Sequence, residues 1–147
     1  MLFHKYASPK VFYALAGQLI PWFAVATLIL LGYGLYQGLF VAPPDYQQGE
    51  SVRIMFIHVP AAWMSMFVYM VMASAGAIGL IWNMRLADMA ATASAPIGAS
   101  FTLLALVTGS LWGKPMWGTW WAWDARLTSE LLLFFLYLGF MALQAAI

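Results

Sequence analysis

The sequence predicts an all-α, polytopic membrane protein with four transmembrane helices, and three observations carry that reading. Hydrophobic residues make up 65% of the 147 and charged residues 7%, whereas an ordinary soluble domain carries roughly 25% charged side chains. Mean hydropathy is +0.85. No residue is charged between Lys10 and Asp45, between Arg53 and Arg85, or between Asp88 and Lys114, and a fourth apolar run follows Glu130. Such runs read as bilayer-spanning helices, since about 20 apolar residues cross a hydrocarbon core. We therefore expect a single membrane domain over residues 1–147, with helices at approximately 17–41, 60–82, 89–112 and 130–147.

The first helix resembles a secretory leader, with Lys5 and Lys10 ahead of an apolar stretch and Ala24-Val25-Ala26 as a cleavage-like triplet. The apolar run continues to Val41, however, and Gln18 and Pro21 fall where a leader is most hydrophobic, so an uncleaved anchor is expected. The second helix is placed from Pro60, because proline suits a first helical turn and the residue before it avoids the helical region. From there to Trp82 is roughly 34 Å at helical rise, enough to span. Small residues such as Ala73, Ser74, Ala75, Gly76 and Ala77 in this helix, and Ala91, Ala95 and Gly98 around Pro96 in the third, allow close helix packing. The fourth helix is LLLFFLYLGFMALQAAI, with Thr128 or Ser129 as N-cap and Glu130 favouring its start. It continues to the last residue, and we expect the sequence to be the N-terminal portion of a longer protein.

Lys5 and Lys10 precede the first helix and only Arg53 lies in the next loop, which favours a cytoplasmic N-terminus. Over all loops the basic residues tie, so the first helix alone decides. The loops 42–53 and 113–129 then share the outer face. The six Lys and Arg are spread along the chain, giving no footprint for nucleic acid; the partner that composition does imply is the lipid bilayer. The absence of cysteine excludes disulfide and thiolate chemistry within the chain.

Two features carry chemistry. Trp112, Trp117, Trp120, Trp121 and Trp123 crowd into one segment punctuated by Gly113, Pro115 and Gly118, which predicts a tryptophan-rich outer loop over 113–129. An aromatic belt at the headgroups accounts for two or three of them. A platform for a flat, apolar ligand with a charged rim accounts for the adjacent pair as well, with Lys114 and Arg126 meeting carboxylates. Haem has that shape, and sugars also stack on indole. Asp124, Arg126 and Glu130 form either an ion network, a propionate contact or a helix cap. The second feature is His58, placed at the membrane interface by a helix starting at Pro60, level with the tryptophans. An interfacial histidine is commonly a solvated hydrogen-bonding group, but a neutral imidazole beside an aromatic face is also a haem-iron ligand. His4 belongs to the opposite side. A second axial ligand has to come from water, from Met116 or from chain beyond Ile147, the last being preferred. The stretch Gly109-Ser-Leu-Trp-Gly-Lys is no phosphate loop: its glycine is one residue too close and Pro115 replaces the magnesium-binding hydroxyl.

The segments HVPAAWMSM (58–66), APPDYQQG (42–49), APIGASFT (95–102) and above all LVTGSLWGKPMWGTWWAWDARLTSELLL (106–133) resemble the haem-handling protein C family of the bacterial cytochrome c maturation system, within the wider cytochrome c assembly family and its WWD motif. The resemblance runs through nearly the whole chain. It implies six membrane helices in a full-length member, a tryptophan-rich periplasmic loop, and two periplasmic histidines that ligate haem iron. His58 matches the first histidine, and no residue here matches the second. It further implies an inner-membrane protein, not an enzyme, that carries haem b as transported ligand. Such a protein presents haem to a periplasmic haem chaperone. Its expected partners are the membrane and ATPase subunits of an ABC-type transporter and a small single-helix accessory subunit. The expected site is His58 with Trp112, Lys114, Trp117, Trp120, Trp121, Trp123, Asp124 and Arg126. Three rival readings remain: a larger membrane haem lyase component that attaches haem to apocytochrome c, a glycan- or lipid-handling protein using Asp124 and Glu130 as a carboxylate pair, and a structural helix scaffold with a crowded aromatic belt.

Overall fold

A computed structural model describes residues 8–146 as four long helices with short connections. Helix α1 runs Pro9–Tyr36, α2 Met55–Trp82, α3 Arg85–Trp117 and α4 Ala125–Ala146. All four are long and apolar enough to cross a membrane, which with their composition makes this an all-α, multi-pass membrane protein. Lys5 and His4, used above to orient the chain, lie outside the described residues.

Each helix begins or ends beyond the bounds expected from hydropathy, because backbone capping and not apolarity ends a helix. α1 starts at Pro9, eight residues before position 17, where Ser8 accepts a hydrogen bond from the Val11 amide at 3.4 Å and proline pre-sets the first turn. Its far end widens into a π-helical turn, Gln37–Val41. There the Arg53 guanidinium donates to the Leu39 carbonyl at 2.8 Å, satisfying an acceptor that the ending helix leaves free. Arg53 also pairs with Glu50. Gly38 is buried against Phe56, and a Cβ there would lie 2.8 Å from the Phe56 ring. Asp45 closes the connecting loop by accepting from the Gln47 and Gln48 amides at 2.9 and 2.8 Å.

Helix α2 does not start at Pro60. A 3-10 turn over Glu50–Ile54 leads straight into it at Met55, and Pro60 sits inside the helix. Proline this close to a helix start removes one backbone hydrogen bond without ending the helix. α2 ends at Asn83, whose φ of 50° is left-handed, and α3 begins at once. α3 continues past Gly113 and Pro115 to Trp117 and stops at Gly118, whose φ is 76° and whose amide bonds the Lys114 carbonyl at 3.1 Å. α4 begins at Ala125 and not at 130. Its N-cap is Asp124, whose Oδ1 accepts from the Leu127 amide at 2.9 Å. Thr128 and Ser129 are therefore not the cap; the Ser129 hydroxyl instead donates back to the Arg126 carbonyl at 3.0 Å. The expected loop 113–129 contracts to Gly118–Asp124.

The packed body is α2, α3 and α4. On α2 the buried positions are Ala61, Ser65, Val68, Met72, Ala75 and Gly79, alternating four and three residues apart, which is one seam along the helix. The seam faces Ala87, Ala91, Ala95, Gly98, Ala99, Thr102 and Ala105 of α3. In lipid no hydrophobic drive holds helices together, so close backbone approach through small residues and interhelical hydrogen bonds must do it. Tyr137 of α4 is the one large side chain fully buried in this body; with Thr102 and Ser65 it heads the fully buried set. α1 is different: none of its residues is buried, and the π turn that follows it meets the body at Phe56 and Arg53.

Candidate functional site

At the end of the body formed by residues 42–54 and 118–124, a cavity of about 400 Å³ opens between α2, α3 and α4. His58, one turn into α2, stands on its wall. The imidazole Nδ1 lies 3.0 Å from the Thr108 hydroxyl on α3. The ring meets Trp112 edge-on, with centroids 5.7 Å apart and planes at 63°. Gly109 makes room for it: a Cβ there would lie 3.0 Å from His58 Cε1. Trp112 is fixed in turn, since its indole N–H donates to the Gln48 side-chain oxygen at 3.0 Å. That bond ties the loop after α1 to the end of α3, so the two loops expected on one face do occupy one end of the molecule.

The opposite wall belongs to the start of α4. Arg126 lies over the Trp117 ring at 5.1 Å and pairs with Asp124 Oδ2 at 2.7 Å. The Leu127 amide and, after it, the Arg126 side chain hold the Asp124 carboxyl below its ordinary range. Leu127, Met66, Ala62, Ala105 and Leu106 supply apolar lining. Glu130, one turn further into the membrane, also faces the cavity. Its Oε1 is buried with no hydrogen-bond partner, an orphaned acceptor in an apolar setting.

Of the residues predicted from sequence, the structure brings His58, Trp112, Trp117, Asp124 and Arg126 to the cavity. It does not bring Lys114, Trp120, Trp121 or Trp123 there. Lys114 lies 5.8 Å from the Trp120 ring and donates to the Gly118 carbonyl at 3.1 Å, closing the end of α3. Trp121 and Trp123 pack edge to face at 5.4 Å, and Trp123 is 78% exposed. The tight Gly118–Asp124 turn is the reason. Its residues cannot all point to one side, so the continuous platform divides into two cavity indoles on α3 and an outer trio. Met116 does not line the cavity either. Among the described residues no three His, Asp or Glu side chains gather to hold a bare metal ion.

Sequence reading passed over Thr108, Gly109 and Gln48. Nothing local marks them: the His58–Thr108 pair spans 50 positions and the Trp112–Gln48 pair 64.

The family model described as Heme exporter protein C matches residues 2–147. Among similar proteins, the Heme exporter protein C of Bradyrhizobium diazoefficiens is 62% identical over 141 residues, covering 96% of this chain and 53% of that protein. That of Haemophilus influenzae is 59% identical over 143 residues, covering 97% and 58%, and that of Escherichia coli K12 is 58% identical with the same coverage. The chain thus spans little more than half the length of these relatives. By the family match over nearly all its residues, the chain belongs to the Heme exporter protein C family.

Proposed function

We propose that this chain binds haem at the outer face of the bacterial inner membrane and presents it to a periplasmic haem chaperone during cytochrome c maturation. The observation that carries the reading is one imidazole, His58, buttressed by Thr108 and Trp112 on the wall of an apolar cavity rimmed by Trp117 and Arg126. Those residues suit haem as cargo. The imidazole would offer iron a nitrogen, the indoles and aliphatic lining would take an apolar macrocycle, and the Arg126 guanidinium would meet its carboxylates. Bound haem supplies an iron centre that accepts axial donors; the chain's own task is to hold and orient it and to release it. The relatives' name, which speaks of haem export, agrees with this role.

On this reading the protein is a carrier and not an enzyme. It works beside the membrane and ATPase subunits of an ABC-type transporter and a small single-helix accessory subunit. Its N-terminus is cytoplasmic and the Gly118–Asp124 turn periplasmic. A glycan-cleaving role finds no free carboxylate pair, because Asp124 caps α4 through one oxygen and holds Arg126 with the other.

The test is haem titration of the purified chain in detergent, followed by absorption spectroscopy. His58→Ala is expected to shift the Soret band and weaken binding while keeping the apolar contribution. A spectrum identical to wild type rules the ligand assignment out.

A further inference from the structure

Resting on the haem-ligand reading of His58, we infer that Thr108 is a positioning residue: its hydroxyl fixes the His58 tautomer that carries the proton on Nδ1 and leaves Nε2 unprotonated for iron.

The inference follows from counting protons. A threonine hydroxyl has one proton and two lone pairs. Thr108 Oγ1 lies 2.7 Å from the Leu104 carbonyl one turn back and 3.3 Å from that of Ala105. Carbonyls only accept, so the single proton is committed to the helix, as back-bonding hydroxyls in helices commonly are. The same oxygen is 3.0 Å from His58 Nδ1. With its proton already given, it can only accept there, and Nδ1 must bear the hydrogen. Rotating the hydroxyl to donate to Nδ1 forfeits the 2.7 Å bond to the Leu104 carbonyl.

The consequence is chemical. A histidine that binds a metal through one nitrogen is oriented by the hydrogen bond its other nitrogen makes. Here that partner is prepared before any ligand arrives, on a rigid helix, at a position where Gly109 beside it gives the ring space. Thr108→Val keeps the side-chain shape but removes the acceptor; Thr108→Ser restores it.

The test has two arms on the full chain in detergent. In the first, haem-free protein labelled with ¹⁵N-histidine is examined by long-range ¹H–¹⁵N correlation, the His58 signals being assigned by their loss in His58→Gln. Wild type and Thr108→Ser are expected to show Nδ1–H, and Thr108→Val a shift of population toward Nε2–H. In the second, haem is titrated into the same variants. Thr108→Val is expected to lose about 10–100-fold in affinity, the usual cost of removing such a partner, and Thr108→Ser to stay near wild type. Nε2–H in haem-free wild type overturns the inference whatever haem does. So does a Thr108→Val chain with wild-type tautomer and affinity. If Nδ1–H is found but His58→Ala binds haem unchanged, the ligand reading fails and the positioning role falls with it, while the tautomer assignment stands.

Discussion

Tyr137 of α4 crosses the bundle to donate its hydroxyl to the Ser65 carbonyl of α2 at 2.7 Å, through the space left by the missing side chain of Gly98 on α3. One contact thus fastens three helices just below the cavity. Tyr137 is completely buried and meets Tyr69 edge-on at 5.8 Å. Gly98 allows this, because a Cβ there would collide with the Tyr137 ring.

That relationship ranks two substitutions. Tyr137→Phe removes one hydrogen bond and is expected to cost about 1 kcal/mol. Gly98→Ala forces the ring out and is expected to cost more, about 1–3 kcal/mol for an overpacked site. Thermal unfolding in detergent checks the order. If Tyr137→Phe proves the costlier, the hydroxyl and not the ring's seat holds the helices together.

Asp124 makes the start of α4 sensitive to acid. Its carboxyl is held below the ordinary range, so the ionised form favours the capped helix. The contribution is complete above the unfolded carboxylate value and is lost as pH falls through the depressed folded value. Amide exchange at Leu127, whose N–H the carboxylate accepts, is expected to accelerate over that window. Asn is also a good N-cap, so Asp124→Asn should retain protection at neutral pH and show no acid-induced loss. Equal acid sensitivity in both proteins would point to another group.

Glu130 predicts a gain in stability. Its Oε1 is buried without a hydrogen-bond partner, and an orphaned buried acceptor costs about 1–3 kcal/mol. Glu130→Leu, similar in length and without polar atoms, is expected to raise the unfolding temperature. A fall instead means that the carboxyl has a partner in the folded membrane protein. If the gain comes with weaker haem binding, the orphan oxygen is retained for function at the expense of stability.

The sequence disclosed the helices by what is missing from them, and the charge-free runs located all four. It disclosed their ends poorly. Hydropathy marks where lipid begins, whereas Ser8 and Asp124 cap helix starts with their side chains and Asn83 and Gly118 end helices in the left-handed region, and Asp124 proves to be cap and ion pair at once. The site was half legible. His58 and the indoles stand out by residue type. The groups that hold them, Thr108 and Gln48, are ordinary polar residues whose meaning lies in contacts across 50 and 64 positions. No local pattern encodes such pairs.

The division of the tryptophans is the sharpest consequence of the structure. Sequence treats the five as one platform, yet only Trp112 and Trp117 line the cavity, while Trp120, Trp121 and Trp123 lie outside it. Trp112→Phe keeps an aromatic edge toward His58 but loses the bond to Gln48, and part of the indole surface goes with it. A hydrogen bond and an aromatic contact are each worth about 0.5–1.5 kcal/mol, so haem affinity is expected to fall about tenfold, with a change in the Soret band because the neighbour of the proposed ligand, His58, has moved. Trp123→Phe is expected to change neither affinity nor spectrum in the isolated chain. Haem capture by the proposed periplasmic chaperone is a separate readout. Trp120 and Trp123 are exposed on the same turn, free to meet a partner, so Trp123→Phe is expected to slow that transfer while binding holds. Should Trp123 instead dominate binding in the isolated chain, haem lies on the outer face of the turn, and the cavity beside His58 is not its seat.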